Sequence, residues 1–308
     1  MTDLTPTALQ LLGAQHGTAT TSQLRASGLS DHAIRRLITA GVLIREYKTV
    51  VRLTGEVRTL PQRCVSLTLA HPSSYVTGPT AGKLLGLRRM PANTPITLAA
   101  AHPLHIEHTG VLLRRSTKIA PGDVCIRPDG IRIASPTRLA FDLAGWLGAH
   151  DHRSVVEQMI YEGLTDDERL RAIGLRLVHP RRRGSRRFEE TMASRSGSAL
   201  ESDPEVRLAD ALRSRGVPLD DEHRWLDLPS GRRARLDLAV AELRWGVEID
   251  VHPHHLGVSG TTSDKRRDRN AHLIGWQIER VTTLDLDDLD RIADELTALY
   301  HARRHAVA

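Results

Sequence analysis

The sequence predicts an α+β multidomain chain, and three stretches of pattern lead there. Short capped helices followed by two apolar strand-like runs fill residues 1–55. Short strands mixed with helices follow from about 60 to 178, and from residue 199 the order becomes helix, several strands, final helix. At 308 residues, 40% hydrophobic and 26% charged, the chain can hold two or three domains with cores of their own. No run approaches the roughly 18 consecutive apolar residues of a membrane span. Residues 1–7 lack the basic-then-apolar layout of a secretory signal. Cys64 and Cys125 stand in unrelated contexts, which excludes a disulfide framework or a Cys-rich zinc module. The expectation is a reduced, cytoplasmic protein.

The net charge of +6 and a pI near 9.8 favour polyanionic partners. Lysine occurs only at Lys48, Lys83, Lys118 and Lys265, so arginine carries nearly all the positive charge, a bias that a GC-rich genome produces by itself. Aromatic residues are 3% of the chain, which argues against stacking single-stranded bases on exposed rings.

The first helix carries Leu9, Leu11 and Leu12 and ends near Gly17. Thr20 with Gln23 three residues on is a capping box for a second helix over 21–27, broken by Gly28. Ser30 caps a third helix over 31–40, closed by Gly41. Helical periodicity puts Ile34, Leu37 and Ile38 on one face and His32, Arg35, Arg36 and Thr39 on the other. Residues 42–45 and 50–53 then form a β-hairpin with its turn at 46–49. Helix, short helix, turn, helix, hairpin is the layout of a winged helix-turn-helix. Its third helix would present His32, Arg35, Arg36 and Thr39 to the major groove of double-stranded DNA, and its wing would bring Arg45, Lys48 and Arg52 to phosphates. The alternative is a protein-contact domain whose arginines are only a solvated face.

The run from Gln15-His16-Gly17 to Leu24, then Gly28-Leu29-Ser30 and Leu37 to Leu43, resembles the winged helix of AbiEi-type antitoxins of type IV toxin–antitoxin systems. Gly78-Pro79-Thr80-Ala81, Leu84-Leu85-Gly86-Leu87, the stretch from Gly130 to Arg138 and Phe141-Asp142-Leu143-Ala144 are similar to the body that follows it. The resemblance spans about the first 175 residues. It implies a DNA-binding autorepressor, with a cognate toxin as a further partner. The middle body, 60–178, offers little chemistry of its own. His102, His105 and His108 recur at threes, but Pro103 and Gly110 argue for surface histidines on a loop, with no carboxylate or cysteine placed to complete a metal site. Residues 152–173 read as an amphipathic helix pair.

Arg181-Arg182-Arg183-Gly184-Ser185-Arg186-Arg187, followed by the serines of 194–198, reads as a solvated linker over 179–198. The other reading is a strap that touches phosphates.

From 199 to 308 the chemistry-bearing residues gather. Glu205 begins a helix with Val206, Leu208, Ala209 and Leu212 on its apolar side. Strands over 235–240 and 245–251 flank a turn at 241–244. Period-two alternation places Glu248 and Asp250 on one face, and Asp237 away from Leu236 and Leu238. Two antiparallel strands can therefore bring three carboxylates onto one sheet face. Converging carboxylates repel unless a cation neutralises them, and Mg²⁺ (or Mn²⁺) takes oxygen ligands. These acids can equally pair with Arg235, Arg244 and Arg280 on a solvated face.

With His252-Pro253-His254-His255, then Asp264-Lys265-Arg266-Arg267-Asp268 and the strand from Gly275-Trp276 to Arg280, the series resembles the Vsr-like branch of the PD-(D/E)XK nucleases. The likeness is to a small family within that branch, frequent in actinobacteria. It implies a restriction-endonuclease-like α/β domain and Mg²⁺-dependent DNA cleavage. It also implies Asp237, Glu248 and Asp250 as metal and catalytic residues, Glu205 (or Glu201) as the helical glutamate, His254 at the leaving oxygen or scissile phosphate, and Arg266 and Arg267 on DNA phosphates. Val251 stands where that family has glycine, and Asp250 where the superfamily has lysine, so no general base is assigned. Two functions stay open: an endonuclease targeted by the winged helix, in defence or toxin–antitoxin biology, or a non-catalytic repressor with a degenerate nuclease fold. An RNA substrate also remains open. Leu289, Ile292, Ala293, Leu296 and Leu299 read as the packing face of the last helix.

Overall fold

The structure is a computed structural model that describes residues 4–101, 103–195, 203–219, 224–250, 269–282 and 284–307, Asp250 by its main chain only. His102, Glu201, His252, His254, His255, Asp264, Arg266, Arg267 and Asp268 lie outside the described residues. The chain divides into two compact units, residues 1–146 with 172–185 and residues 147–171 with 186–308. The winged segment and most of the middle body, read from the sequence as separate domains, thus belong to one unit.

The first unit opens with helix α1 (Pro6–Ala14), strand β1 (Thr18–Thr20), α2 (Thr21–Ala26), α3 (Asp31–Thr39) and the hairpin β2 (Leu43–Arg45)–β3 (Val50–Leu53). Its caps are those the sequence encodes. The Gln23 N–H donates to Thr20 Oγ1 at 3.0 Å while the Thr20 N–H donates to Gln23 Oε1 at 2.8 Å. The Ala33 N–H donates to Ser30 Oγ at 3.1 Å and starts α3. Leu12, Leu24, Ile34, Leu37, Leu43 and Val51 form the core. Strand β1 escapes sequence reading, because three residues give no period to detect. It pairs antiparallel with β3 and sets the sheet order β1-β3-β2.

Helix α4 (Leu60–Ala70) ties this module to the body through buried polar contacts. Gln62 Nε2 donates to Thr18 Oγ1 at 3.1 Å and to Glu46 Oε2 at 2.9 Å, and Ser66 Oγ donates to the same Glu46 oxygen at 2.8 Å. Glu46 sits in the wing turn, so the wing is moored to α4 from below. The body is a five-stranded sheet in the order β6 (Val111–Arg115), β5 (Ile96–Ala100), β4 (Ser74–Val76), β8 (Arg132–Ala134), β7 (Val124–Ile126). Helices α5 (Gly78–Leu84) and α6 (Pro136–Leu143) accompany it. Within it, buried Arg138 pairs with Asp123 at 2.8 Å and with Asp142 at 2.9 Å.

In the second unit α7 (Ala149–Tyr161) packs against α10 (Asp203–Ser214). The helix α8 (Asp167–Leu177) spans the boundary between the units, and α9 (Ser185–Ala193) forms inside the stretch read as a linker. Its periodic Phe188 and Thr191 are buried, a two-residue signal too sparse to see against five arginines. Strands β11 (Leu238–Val240) and β12 (Trp245–Asp250) are antiparallel, and β13 (Gln277–Thr282) returns parallel to β12. A separate ribbon pairs β9 (Arg224–Asp227) with β10 (Arg233–Leu236). One sheet face, with Leu238, Val240, Trp245, Val247 and Val281, packs with α10 and the last helix, α11 (Leu289–Val307). On α11 Ile292, Ala293, Leu296 and Tyr300 are buried, whereas Leu299, expected inside, is exposed. Among the described residues no helix is long and apolar enough to cross a membrane.

His150 on α7 lies 3.6 Å from Asp203 and 3.4 Å from Asp210, and hydrogen bonds to these carboxylates raise its pKa to about 9. A raised folded pKa stabilises the protein below the unfolded value of about 6.5, and that contribution disappears as pH climbs. The thermal midpoint should therefore fall as pH rises from about 6.5 through about 9, and His150→Gln should flatten that slope. Thermal melts of both proteins across this range check it; parallel slopes would contradict the assignment.

Candidate functional site

Two places in the fold collect the residues singled out in the sequence. The first is the outward face of α3. His32, Arg35, Arg36 and Thr39 are all exposed there, while Ile34 and Leu37 are buried beneath them. The acid at the helix start, Asp31, is paired with Arg25 at 3.0 Å, whereas His32, Arg35 and Arg36 have no acidic partner among the described residues. Arg45 and Lys48 are exposed at the wing turn, where Arg45 Nη1 donates to the Lys48 carbonyl at 2.7 Å. Arg52 behaves differently. It is half-buried on the central strand of the small sheet, 3.9 Å from Glu46, and its Nη1 donates to the Leu53 carbonyl at 3.1 Å. Its place is with the Glu46 mooring, whereas Arg45 and Lys48 form the basic tip.

The second place is the other face of the β11–β12–β13 sheet. Asp237 falls in the break between β10 and β11 and is buried. Its main-chain N–H donates to the Val247 carbonyl at 3.0 Å, and its carboxylate accepts the Ile249 N–H at 2.7 Å. The side chain thus takes over a ladder bond that the interrupted strand no longer supplies. Glu248, also buried, stands opposite Arg280 in the parallel register, with Arg280 Nη2 3.4 Å from its carboxylate. Arg235 comes within 3.6 Å of Asp237. Two of the three arginines expected to neutralise these acids do so, on buried carboxylates rather than on a solvated face. Arg244 is spent elsewhere: it turns the chain in a left-handed conformation and donates to the Ile274 carbonyl at 3.0 Å. Asp250 closes β12 opposite Thr282.

Glu205 is buried in the first turn of α10, on the helix that packs on the apolar side of the sheet. The face that carries Asp237 and Glu248 is the opposite one, shared with Ala239 and Ile278. Among the described residues no group of three or more His, Cys, Asp or Glu side chains is arranged to hold a metal ion. His105 is exposed beside Arg115, and His108 meets His71 at 3.2 Å, with the Tyr47 ring 4.9 Å from that of His108. Burial and the neighbouring His108 hold the His71 pKa below its usual value.

Sequence reading missed the arginines of the body, Arg114, Arg115 and Arg138. Arg114 and Arg115 carry no motif, Arg138 reads only as the end of a body-like stretch, and strand β6 and helix α6 together bring all three next to Arg182 and Arg183.

None of the curated proteins matches the chain. Among solved structures, the RV2827C protein from Mycobacterium tuberculosis aligns at 18% identity and a TM-score of 0.38, over 64% of this chain and 78% of that one, a superposition too loose to assign a fold. One family matches, described as "Transcriptional regulator, AbiEi antitoxin", over residues 7–54. That span runs from α1 through the β2–β3 hairpin, so the N-terminal module is an AbiEi antitoxin-like domain.

Proposed function

We propose that the protein is a DNA-binding transcriptional regulator of the antitoxin type that docks α3 in the major groove and steadies itself with the wing tip. The α3 face carries this reading, since it offers His32, Arg35, Arg36 and Thr39 to solvent with no acid paired to them among the described residues. A helix so furnished can address base edges, while Arg45 and Lys48 reach flanking phosphates. The match of residues 7–54 supports it and makes a cognate toxin the implied protein partner. The test is a mobility shift of full-length protein on a duplex spanning its own upstream region, beside an unrelated duplex. A specific shift that weakens steeply with salt is expected. No shift even at low salt overturns the reading.

A second reading, a Mg²⁺- or Mn²⁺-dependent endonuclease of the PD-(D/E)XK type in the second unit, is favoured by one observation. Asp237 and Glu248 are buried on the same sheet face, beside the strand end that Asp250 closes. The antiparallel pair followed by a parallel return is compatible with that fold. Mg²⁺ is held by one or two carboxylates and water, so Asp237 and Glu248 are donors of the right chemistry, with Asp250 a third candidate. When bound, such an ion supplies Lewis acidity and an activated water for phosphodiester hydrolysis. Of the chain's own groups, the Ile249 N–H orients the Asp237 carboxylate, and Arg280 and Arg235 stand beside Glu248 and Asp237 as their counter-charges. Glu205, His254, Arg266 and Arg267 enter this reading through the family resemblance alone.

Supercoiled plasmid separates the two readings. The nuclease reading expects nicking that needs Mg²⁺ or Mn²⁺, stops with EDTA and is lost in both Asp237→Ala and Asp250→Ala. Protein that shifts duplex DNA but never cuts it leaves the regulator alone. Because Asp237 also satisfies the Ile249 N–H, melting curves of each variant accompany the assay.

A further inference from the structure

We propose that the body of the first unit is an oligophosphate-binding site, built on an arginine-walled cavity that neither functional reading uses. The cavity measures about 260 Å³ and is lined by Arg114, Arg115, Arg138 and the consecutive Arg181, Arg182 and Arg183. Arg138 is paired with the carboxylates of Asp123 and Asp142. Arg182 Nη2 donates to Ser116 Oγ at 3.0 Å, and Arg115 Nε donates to the Leu104 carbonyl at 3.2 Å. Among the described residues none of the five other arginines is within ion-pair distance of a carboxylate, although Asp142 also lines the cavity and its charge acts on Arg182. Burial and the positive charge of Arg138 hold the Arg182 pKa below the usual arginine value, and burial and Arg183 do the same for Arg114. Like charges gathered in a partly desolvated hollow repel one another, and an anion is what relieves them.

The arginine run is fixed in place. Gly184 has φ +91°, and a Cβ there would come within 2.7 Å of the Gly145 nitrogen, so the chain at 184 lies directly on the main chain of 145. The His179 N–H donates to Ser185 Oγ at 3.0 Å, and the Ser185 N–H donates back to the Arg182 carbonyl at 3.2 Å. Residues 181–183 are therefore the rim of a preformed cavity. A second cavity of about 560 Å³ shares Arg115, Ser116, Arg181 and Arg182 and continues to Lys118 and Arg176.

The aromatic rings decide the ligand class. Arg182 lies over Phe141 at 5.3 Å, and Arg114 and Arg183 lie over Trp146 at 5.2 and 5.5 Å. These rings orient guanidinium forks and are not left to stack a base. Forks in such number match several phosphoryl groups better than one, because each can bind an oxygen pair bidentately. The ligand is a compact chain of two or more phosphates, free or at the end of a nucleotide.

Isothermal titration of full-length protein with inorganic tripolyphosphate, a nucleoside triphosphate and a short duplex DNA tests this at physiological salt. Tripolyphosphate and the nucleoside triphosphate should bind with similar affinity, weakened about tenfold or more in Arg182→Gln/Arg183→Gln. The control Arg186→Gln/Arg187→Gln removes guanidiniums that pair with Glu190 and lie outside the cavity, and it should bind as the wild type does. Should the rim variant disturb the turn, Arg114→Gln removes a cavity arginine from strand β6 and must weaken binding too. Failure of both oligophosphates to bind, or undiminished binding by both variants, overturns the proposal. Binding of duplex DNA alone also overturns it and makes the trough a nucleic-acid contact.

Discussion

Asp123→Asn should destabilise the first unit by about 3–5 kcal/mol, the cost of removing one member of a buried charge cluster. Asp123 is 3% exposed and Arg138 is 2% exposed. The carboxylate accepts from Arg138 at 2.8 Å, from Arg176 at 3.0 Å and from the Ala120 N–H at 3.0 Å. Asparagine keeps the shape but cancels the charge, leaving Asp142 as the carboxylate paired with Arg138 and none paired with Arg176 among the described residues. Burial by itself would raise the Asp123 pKa, but the hydrogen bonds from Arg176 and Ala120 and the charge of Arg138 outweigh it and lower the value. A depressed folded pKa gives stability that is present above the unfolded value of about 3.9 and lost as pH falls through the folded one. The wild type should therefore lose stability on the acid side of about pH 4, and that component should be missing from the variant. Urea titrations at neutral pH and near pH 3 measure both effects. A change below about 1 kcal/mol would mean that the cluster contributes little beyond its shape.

Arg35→Ala/Arg36→Ala should weaken duplex binding by roughly thirtyfold to ten-thousandfold, since each of the two lost contacts is worth about 1–3 kcal/mol when it reaches a base edge. Where the contacts are to phosphates the loss is smaller and independent of sequence, and the slope of log affinity against log salt falls by about 0.9 for each. Both outcomes keep the major-groove reading and assign the roles of the two arginines. Arg45→Ala/Lys48→Ala should lower the salt slope as well, because both residues are exposed at the wing tip. Arg52→Ala should leave that slope unchanged while lowering the melting temperature, because Arg52 sits beside Glu46 rather than at the tip. Mobility shifts at three or more salt concentrations, beside melting curves, separate these cases. Unaltered binding by Arg35→Ala/Arg36→Ala would remove α3 from the interface.

The acidic sheet face has a structural use whatever its chemistry. Asp237 completes the backbone bonding of β12, and Glu248 is bound to the neighbouring strand through Arg280. Both residues therefore have a reason to be where they are without a metal. Cleavage that depends on both Asp237 and Asp250 would add catalysis to this structural role.

The sequence by itself determined what short-range chemistry controls. Thr20 with Gln23 and Ser30 with Ala33 started two helices where they were expected, because a cap needs only residues three positions apart. Alternation within residues 245–250 placed Glu248 opposite Val247 and Ile249, because the strand period is local. The exposed face of α3 followed in the same way from helical period. Tertiary structure decided which charge meets which. Arg52 turned to Glu46, Arg280 to Glu248, Arg176 to Asp123, and Arg182 to a cavity instead of a linker. Those partners come from separate elements, and an arginine has the same local signature whether it faces DNA, an acid or a hollow. Only packing of the sheets and helices fixes the distances on which such pairings depend.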